Sequence, residues 1–514
     1  MSETEISWSG WGDPAKAAPL PEKITALLRD LLGVKPREVP PVALEDIAPR
    51  PSRLSTAALQ ALADVAVVRT DAESRVRHTR GKSTPDLLAI RRGDVSDAPD
   101  AVVLPDSHEA VLRVLELATE HRFAVVPFGG GTSVVGGLAP DDTGFAGFVA
   151  LDLRHLDGLV AVDPVSRTAT LEPGLRGPRA EELLAEHGFT LGHFPQSFEW
   201  ASIGGFAAAR SSGQSSAGYG RFDENVVGLT VATPTGTLTL GRTQKSAAGP
   251  DLRQLVLGSE GAFGVITSVT VRVRPVPEVK VYEGWRFPDF ATGSAALRRI
   301  IQDGPVPTVL RLSDETETLV NLAQSGAIGE EGGNGCLAIV GFEGEPREVA
   351  ERRARVREIL AEQGGTDLGE GPGEGWAHGR FAAPYLRDSL LDVGAFVETL
   401  ETTTFWSNIP ELYKAVLAAL PGHLVMCHIS HVYPSAASLY FTIVTPDIDW
   451  DVAKPAVNAA ILAAGGSISH HHGVGTDHRA PYAEEIGPLG VEILRAVKAR
   501  LDPAGVLNPG VLVP

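Results

Sequence analysis

Three consecutive glycines constrain this chain more than any other feature. Ala124, Val125 and Val126 read as a strand that runs into Pro127 and Phe128. Gly129, Gly130 and Gly131 follow, then Thr132 and Ser133, and Gly136 and Gly137 close the segment. Such a run favours neither helix nor strand. Without Cβ atoms it turns sharply and presents successive N–H groups at close range, a concave row suited to a phosphate. No lysine follows the glycines, which excludes a kinase-type P-loop. The spacing also breaks the G-x-G-x-x-G of a dinucleotide fold. A tight structural turn remains the competing reading of the triplet taken alone.

The 514 residues exceed one hydrophobic core, so two or three domains are expected. A net charge of −19 excludes nucleic acid as a partner, which would need a basic face, but not a small phosphorylated ligand held by a few arginines. Two cysteines, Cys336 and Cys427, cannot form a disulfide framework and suit a reducing compartment. No signal-peptide pattern opens the chain, and no apolar run approaches the roughly 20 residues that span a bilayer. A cytoplasmic location is expected, with peripheral membrane contact left open.

Residues 1–95 read as a mostly helical extension, with helices over Pro21–Val34, Ser55–Ala63 and Asp71–Arg77. Residues 96–277 read as one α/β unit: strands AVVLP, FVALDL, GLVAVD, TATLEPG and VITSVTVRV, and helices over Ser107–His121 and Gly177–His187. Residues 278–485 form a second unit with strands TVLRLS, CLAIVGFEG, LVMCHISHVY and SLYFTIVTP and helices over Arg347–Gln363 and Val452–Ala464. Strands paired with long helices predict an antiparallel sheet with helices on one face. Gly326–Gly335 and Gly364–Gly375 read as loops. Residues 486–514 read as a helix followed by a segment that returns to the first unit. No tandem repeat is present.

The segments PFGGGTS, QSFEWASIGG, ARSS, GSEGAFGVI, a late His-rich loop and LNPG, in that order, resemble the vanillyl-alcohol-oxidase-type flavoenzymes. That likeness implies an α+β fold: a two-lobed FAD-binding domain plus a cap domain whose antiparallel sheet is covered by helices. The narrower likeness is to the alkyldihydroxyacetonephosphate synthases. It rests on WSGWG, HFPQSFEWASIGG, YGRFDENVVG, VPTVLRLSD, PYLRDSLLD, ASLYFTI and SISHHHGVG, and covers nearly the whole chain.

The resemblance assigns FAD to four segments. Pro127, Phe128, Gly129, Gly130, Gly131, Thr132 and Ser133 would cradle the pyrophosphate. Gln196, Ser197, Phe198, Glu199, Trp200, Ala201 and Ser202 would wrap the rest, with Ala209, Arg210, Ser211, Ser212, Glu260, Gly261, Ala262, Phe263, Gly264, Val265 and Ile266. Relatives that bind flavin covalently use a histidine where this chain has Thr132, so noncovalent FAD is expected.

It likewise assigns Tyr440 to proton transfer at C1 of the substrate, a role that calls for a lowered phenol pKa. The loop His470, His471 and His472 would be the base for an incoming alcohol, with His471 favoured; if extended, His471 faces away from its neighbours. Taken alone, the three histidines could be a solvated loop, or metal ligands with His428, His431 and His478; no metal is expected. Arg387 would bind the substrate phosphate, and its bland reading is an ion pair with Asp388 or Asp392. Arg311 would serve activity, or else pair with Asp314. His193 would lie close to the flavin, or else be a turn residue before Pro195.

The implied reaction exchanges the acyl chain of acyl-dihydroxyacetone phosphate for a fatty alcohol through a bond to flavin N5, with no net redox change. The partners expected are that phosphorylated, lipid-like substrate and the fatty alcohol, with a homodimer left open. The alternative on the same scaffold is an FAD-linked oxidase or dehydrogenase of a 2-hydroxy acid or phosphorylated polyol. A non-catalytic flavin- or lipid-binding protein is the third reading, disfavoured by Tyr440, Arg387 and the His loop. Thr476, Asp477, His478 and Arg479 depart from the Lys-Leu-Arg of the animal enzymes, and VLVP is not a peroxisomal signal.

Overall fold

A computed structural model describes residues 5–20, 22–35, 38–320 and 333–514. The expected loop at Gly326–Gly335 therefore falls largely outside the described residues, as does Pro21.

The glycine run ends the strand Ala124–Phe128, the edge of a four-stranded sheet in the order Val67–Arg69, Ala101–Leu104, Phe148–Asp152, Ala124–Phe128. The last three strands pair in parallel. Their largely apolar surface is covered by the helix His108–His121, started by the Ser107 hydroxyl accepting from the Ala110 amide at 3.2 Å. This helix buries Val111, Val114, Leu115, Leu117 and Ala118 against Val103, Val125 and Val149. Residues 506–508 extend the same edge: the Val125 amide donates to Val506 O at 2.7 Å, and the Asn508 amide to Val125 O at 2.9 Å. A second, five-stranded antiparallel sheet follows, ordered Leu159–Asp163, Thr168–Leu171, Val265–Arg272, Val226–Thr233, Gly236–Leu240. The glycine loop lies between these two lobes.

The cap is a seven-stranded antiparallel sheet in the order Thr366–Asp367, Val279–Phe287, Cys336–Gly344, Val309–Ser313, Leu424–Val432, Ala436–Thr445, Phe396–Phe405. Its period-two alternation separates core from site. Leu310, Leu312, Leu400, Cys427, Ile429, Leu439 and Phe441 pack under the helices Phe290–Asp303, Pro346–Glu362, Ile409–Ala419 and Trp450–Ala463. Arg311, Glu401, His428 and Tyr440, one step along each strand, face the other way. Register aligns them: Ser313 opposes His428, His428 opposes Tyr440, and Tyr440 opposes Glu401.

Three details differ from expectation. The segment 364–375 is not a loop throughout, because Thr366–Asp367 adds an edge strand and Pro372 sits in the first turn of a helix, Gly371–Gly379, that buries Trp376. The C-terminal helix begins at Arg479 and bends at Gly487, whose φ of 71° only glycine adopts cheaply. The strands Val279–Phe287 and Phe396–Phe405 join the four expected cap strands.

Candidate functional site

One cavity of about 1170 Å³ runs between the glycine loop and the polar face of the cap sheet. Its floor includes every residue from Pro127 to Ser133. The amides of Gly130, Gly131, Thr132 and Ser133 donate to no protein acceptor among the described residues, leaving a row of donors for an anion. The glycines are also sterically required. A Cβ on Gly130 would overlap the Trp200 carbonyl and lie 2.8 Å from Ala201 Cα, and one on Gly131 would meet the Phe128 ring. Asn508 of LNPG staples this floor, its side-chain amide donating to Gly137 O at 3.0 Å and Glu260 O at 2.7 Å.

Gln196, Ser197, Glu199, Ala201, Ser202, Ala209, Ser211, Ser212, Glu260, Gly261, Gly264 and Ile266 also line the cavity. The other residues of those segments lie behind it. Phe198 stacks on Phe381 at 5.5 Å, and Trp200 packs with Ile6 and Trp11. Arg210 donates to Leu257 O at 3.0 Å. Ala262, Phe263 and Val265 belong to hydrophobic clusters. His193 is buried behind Ser211, with Nε2 at 3.0 Å from the Ser211 hydroxyl and its ring against Phe206. Burial lowers its pKa to about 3, so the ring is neutral.

The cap wall brings Tyr440, His471, His472, Arg311 and Arg387 to this same space. The Tyr440 ring stacks on His428 at 5.0 Å and lies 6.2 and 5.7 Å from the rings of His471 and His472. Burial, with Glu398 and Glu401 nearby, pushes the phenol up to about 12, against the lowered value the sequence reading called for. The His loop is not extended. Glu401, wholly buried, gathers it by accepting from the amides of His470 (2.6 Å), His471 (3.1 Å) and His472 (2.9 Å) and from the Ser469 hydroxyl (2.6 Å). His471 and His472 therefore face the cavity together, while His470 turns away to the Tyr433 hydroxyl at 2.7 Å.

Burial works to raise Glu401, but His471, His472 and His470 and the Ser469 hydroxyl outweigh it and hold the carboxyl below its usual range. Burial lowers His471, and takes His472 to about 3, so both rings are neutral bases at pH 7. The ring nitrogens of His431, His470 and His471 lie within 4.8 Å of one another, and each ring is already engaged in a hydrogen bond.

Both arginines are already paired. Arg311 bonds Glu317, not Asp314. Arg387 spends Nε and Nη2 on Asp388 (3.2 and 3.0 Å) and Nη1 on Lys82 O (2.6 Å). The N-terminal segment also reaches the cavity, where Trp11 and Lys16 line it. The Trp11 amide bonds Asp388, and the buried Lys82 ammonium donates to Ser7 O at 2.6 Å and Trp8 O at 3.2 Å. Glu260 ties the FAD-binding domain to the end of the His loop, its carboxylate accepting from the Val474 and Gly475 amides at 2.9 and 3.0 Å.

Glu401, Lys82 and Asn508 were not distinguished by the sequence reading, and Glu260, expected only as a flavin contact, also ties the His loop to the FAD domain. A glutamate inside an otherwise alternating strand was the available signal for Glu401, and the LNPG motif for Asn508.

A two-lobed domain with a donor-lined glycine cradle, opening beneath an antiparallel cap, defines an FAD-linked flavoenzyme of the vanillyl-alcohol-oxidase type. The family profile described as "FAD binding domain" matches residues 99–241, and "FAD linked oxidases, C-terminal domain" matches 276–512. Crystallised p-cresol methylhydroxylase shares the fold, with a TM-score of 0.69 at 16% identity. Nearer likenesses reach over the full length. Alkyldihydroxyacetonephosphate synthase of Dictyostelium discoideum is 33% identical over 99% of this chain and 94% of its own. That of Trypanosoma brucei brucei is 32% identical over 99% and 92%. A solved alkyldihydroxyacetonephosphate synthase superposes with a TM-score of 0.82 at 30% identity, covering 98% of each chain. This chain belongs to the alkyldihydroxyacetonephosphate synthase family.

Proposed function

We propose that this protein is an FAD-dependent enzyme that exchanges the acyl chain of acyl-dihydroxyacetone phosphate for a fatty alcohol, forming an alkyl ether. One observation supports the reading best: the cavity that carries Tyr440, His471 and His472 also has an apolar arm of Ile24, Leu386, Leu390, Val397, Met426 and Val444. A small hydroxy acid has no use for that arm, whereas a fatty chain buries roughly 0.8 kcal/mol per methylene in it.

Pro127 to Ser133 would hold the FAD pyrophosphate, and Ser211, Ser212 and Glu260 would border the rest of the cofactor. When bound, FAD would supply a nucleophilic ring nitrogen for the exchange at C1 of the glycerone.

The remaining work falls to this chain. Tyr440 would take and return the C1 proton; Thr399 and Arg387 favour its phenolate, but burial outweighs them and the group rests as the phenol before substrate enters. His471, neutral at rest, takes the proton of the fatty alcohol as its oxygen attacks. Glu401 orients the imidazole and stabilises the imidazolium that forms. The fatty acid departs as carboxylate, and electrons balance without an external acceptor.

Anaerobic mixing of the holoenzyme with palmitoyl-dihydroxyacetone phosphate tests the reading. The expected result is bleaching of the flavin band, followed by alkyl product on adding hexadecanol. Flavin reduction by D-lactate or glycerol 3-phosphate, with no ether formed, would replace it with the oxidase reading. Fatty substrates call for contact with a membrane surface, although no helix among the described residues is long and apolar enough to cross one. Co-sedimentation with phosphatidylcholine vesicles measures that contact.

A further inference from the structure

The family profile for the FAD-binding domain begins at residue 99, yet the glycine loop is gripped from behind by a stretch that precedes it. Residues 78–82 join the helix Ala72–Arg77 to the helix Thr84–Arg91. None of them lines the cavity; they stand on the far side of its floor.

His78 meets the start of the loop. Its buried ring packs on Phe128 with centroids 4.4 Å apart. Both ring nitrogens are engaged, Nε2 at 2.8 Å from Asp152 Oδ2 and Nδ1 at 2.7 Å from Ser74 O. Asp152 is the register neighbour of Phe128 across the parallel strand pair, and it is wholly buried. A ring held at both nitrogens cannot turn away from Phe128. Phe128 in turn supports Gly131, which has a φ of 68°: a Cβ there would lie 2.6 Å from the Phe128 ring.

Lys82 meets the end of the loop. Its amide donates to Ser133 O at 2.6 Å, and a Cβ on the adjoining Gly81 would lie 2.1 Å from the same oxygen. Only a glycine permits that approach. Between the two contacts Arg80 takes a φ of 59°, in the left-handed region that disfavours a side chain. Asp97 Oδ2 at 2.7 Å and Asp94 O at 2.9 Å pin its guanidinium. Backbone strain of this kind persists only where the surroundings enforce it. Here it bends the chain so that His78 and Lys82 reach opposite ends of one loop.

We propose that residues 78–82 are a clamp on the pyrophosphate cradle and that His78 is a positioning residue for the cofactor. His78 touches no ligand. It fixes Phe128 and, through it, the row of amides from Gly130 to Ser133. A donor row that is already ordered spends none of its binding energy on being ordered. The N-terminal extension is thereby part of the cofactor site, whatever substrate the enzyme takes.

Two variants of the full-length protein test the clamp from its two ends. His78→Gln can keep a bond to Asp152 but removes the ring from Phe128. Gly81→Ala presses on Ser133 O. Each protein is stripped of flavin and titrated with FAD, with quenching of flavin fluorescence giving Kd, and the Tm of the flavin-free form is recorded alongside. Both variants should weaken FAD about 10- to 100-fold while the flavin-free Tm stays near wild type.

An FAD Kd within about twofold of wild type in either variant overturns the proposal. So does a flavin-free Tm that falls along with FAD affinity, because that marks a loosened lobe and not a disordered cradle. Should one variant fail to fold, the other decides by the same two readings.

Discussion

Glu401→Gln tests the architecture of the His loop most directly. The carboxylate gathers the loop through Oε1 (Ser469, His471, His472) and Oε2 (His470). An amide has one acceptor oxygen. Placed at Oε1 it keeps three bonds, now neutral, and turns an NH2 toward the His470 amide. A bond to a charged acceptor is worth about 1 kcal/mol more than a neutral one, and a stranded buried amide costs at least about 1 kcal/mol, so the loop loses about 4 kcal/mol. At about 1.4 kcal/mol per tenfold, local opening becomes about three powers of ten more frequent. Because the folded carboxyl pKa is depressed, this stabilisation is present above the unfolded value near 4.3 and lost as pH falls through the folded value; at pH 7 the whole effect is measurable. Hydrogen exchange on peptides spanning 469–473 should show that acceleration, and alkyl transfer should slow with kcat affected more than KM. Wild-type exchange rates at the three histidine amides would refute the reasoning.

Other outcomes follow from the same geometry. Gly130→Ala should fold yet purify without most of its flavin, read from the visible-to-ultraviolet absorbance ratio, because its Cβ overlaps the Trp200 carbonyl. His471→Ala should keep FAD and lower kcat by about 100- to 10,000-fold, as loss of a general base does. His193 is held neutral with a pKa near 3, so the unfolded chain binds its proton first. Stability from this group is therefore lost as pH falls below about 6.5, by about 1.4 kcal/mol per unit, and His193→Gln should show a smaller drop in Tm between pH 6.5 and 5 than wild type. Lys82→Met should free residues 5–12 and create an early site for limited proteolysis, because the Lys82 ammonium holds the Ser7 and Trp8 carbonyls.

Much of the fold was legible because it is written in local pattern. The apolar runs AVVL and FVALD mark a doubly covered parallel sheet, and SLYFTI alternates as a half-buried strand must. Phe396–Phe405 was hidden because Glu398 and Glu401 occupy buried positions where apolar residues are the rule. Gly371–Gly379 was hidden because its glycines argue against helix, and only the packing of Trp376 in the cap overrides them. At the site, sequence order singled out Tyr440 and the histidines. It could not reveal that Arg311 and Arg387 are already neutralised, since those pairings depend on side chains brought together by the tertiary fold. The phenol of Tyr440 sits high for the same reason: its burial beside two carboxylates is a property of the sheet.

The strand that ends in the cradle has, as its neighbour on the open edge, a segment from nearly four hundred positions later, through Val506, Leu507 and Asn508. A nascent chain that has made only the first lobe thus exposes an unpaired edge, and the Asn508 contacts to Gly137 and Glu260 do not yet exist. The edge of the cradle is therefore completed only once residues 506–508 have been made. Before that moment the half-made protein carries a strand edge open to pairing with a stranger.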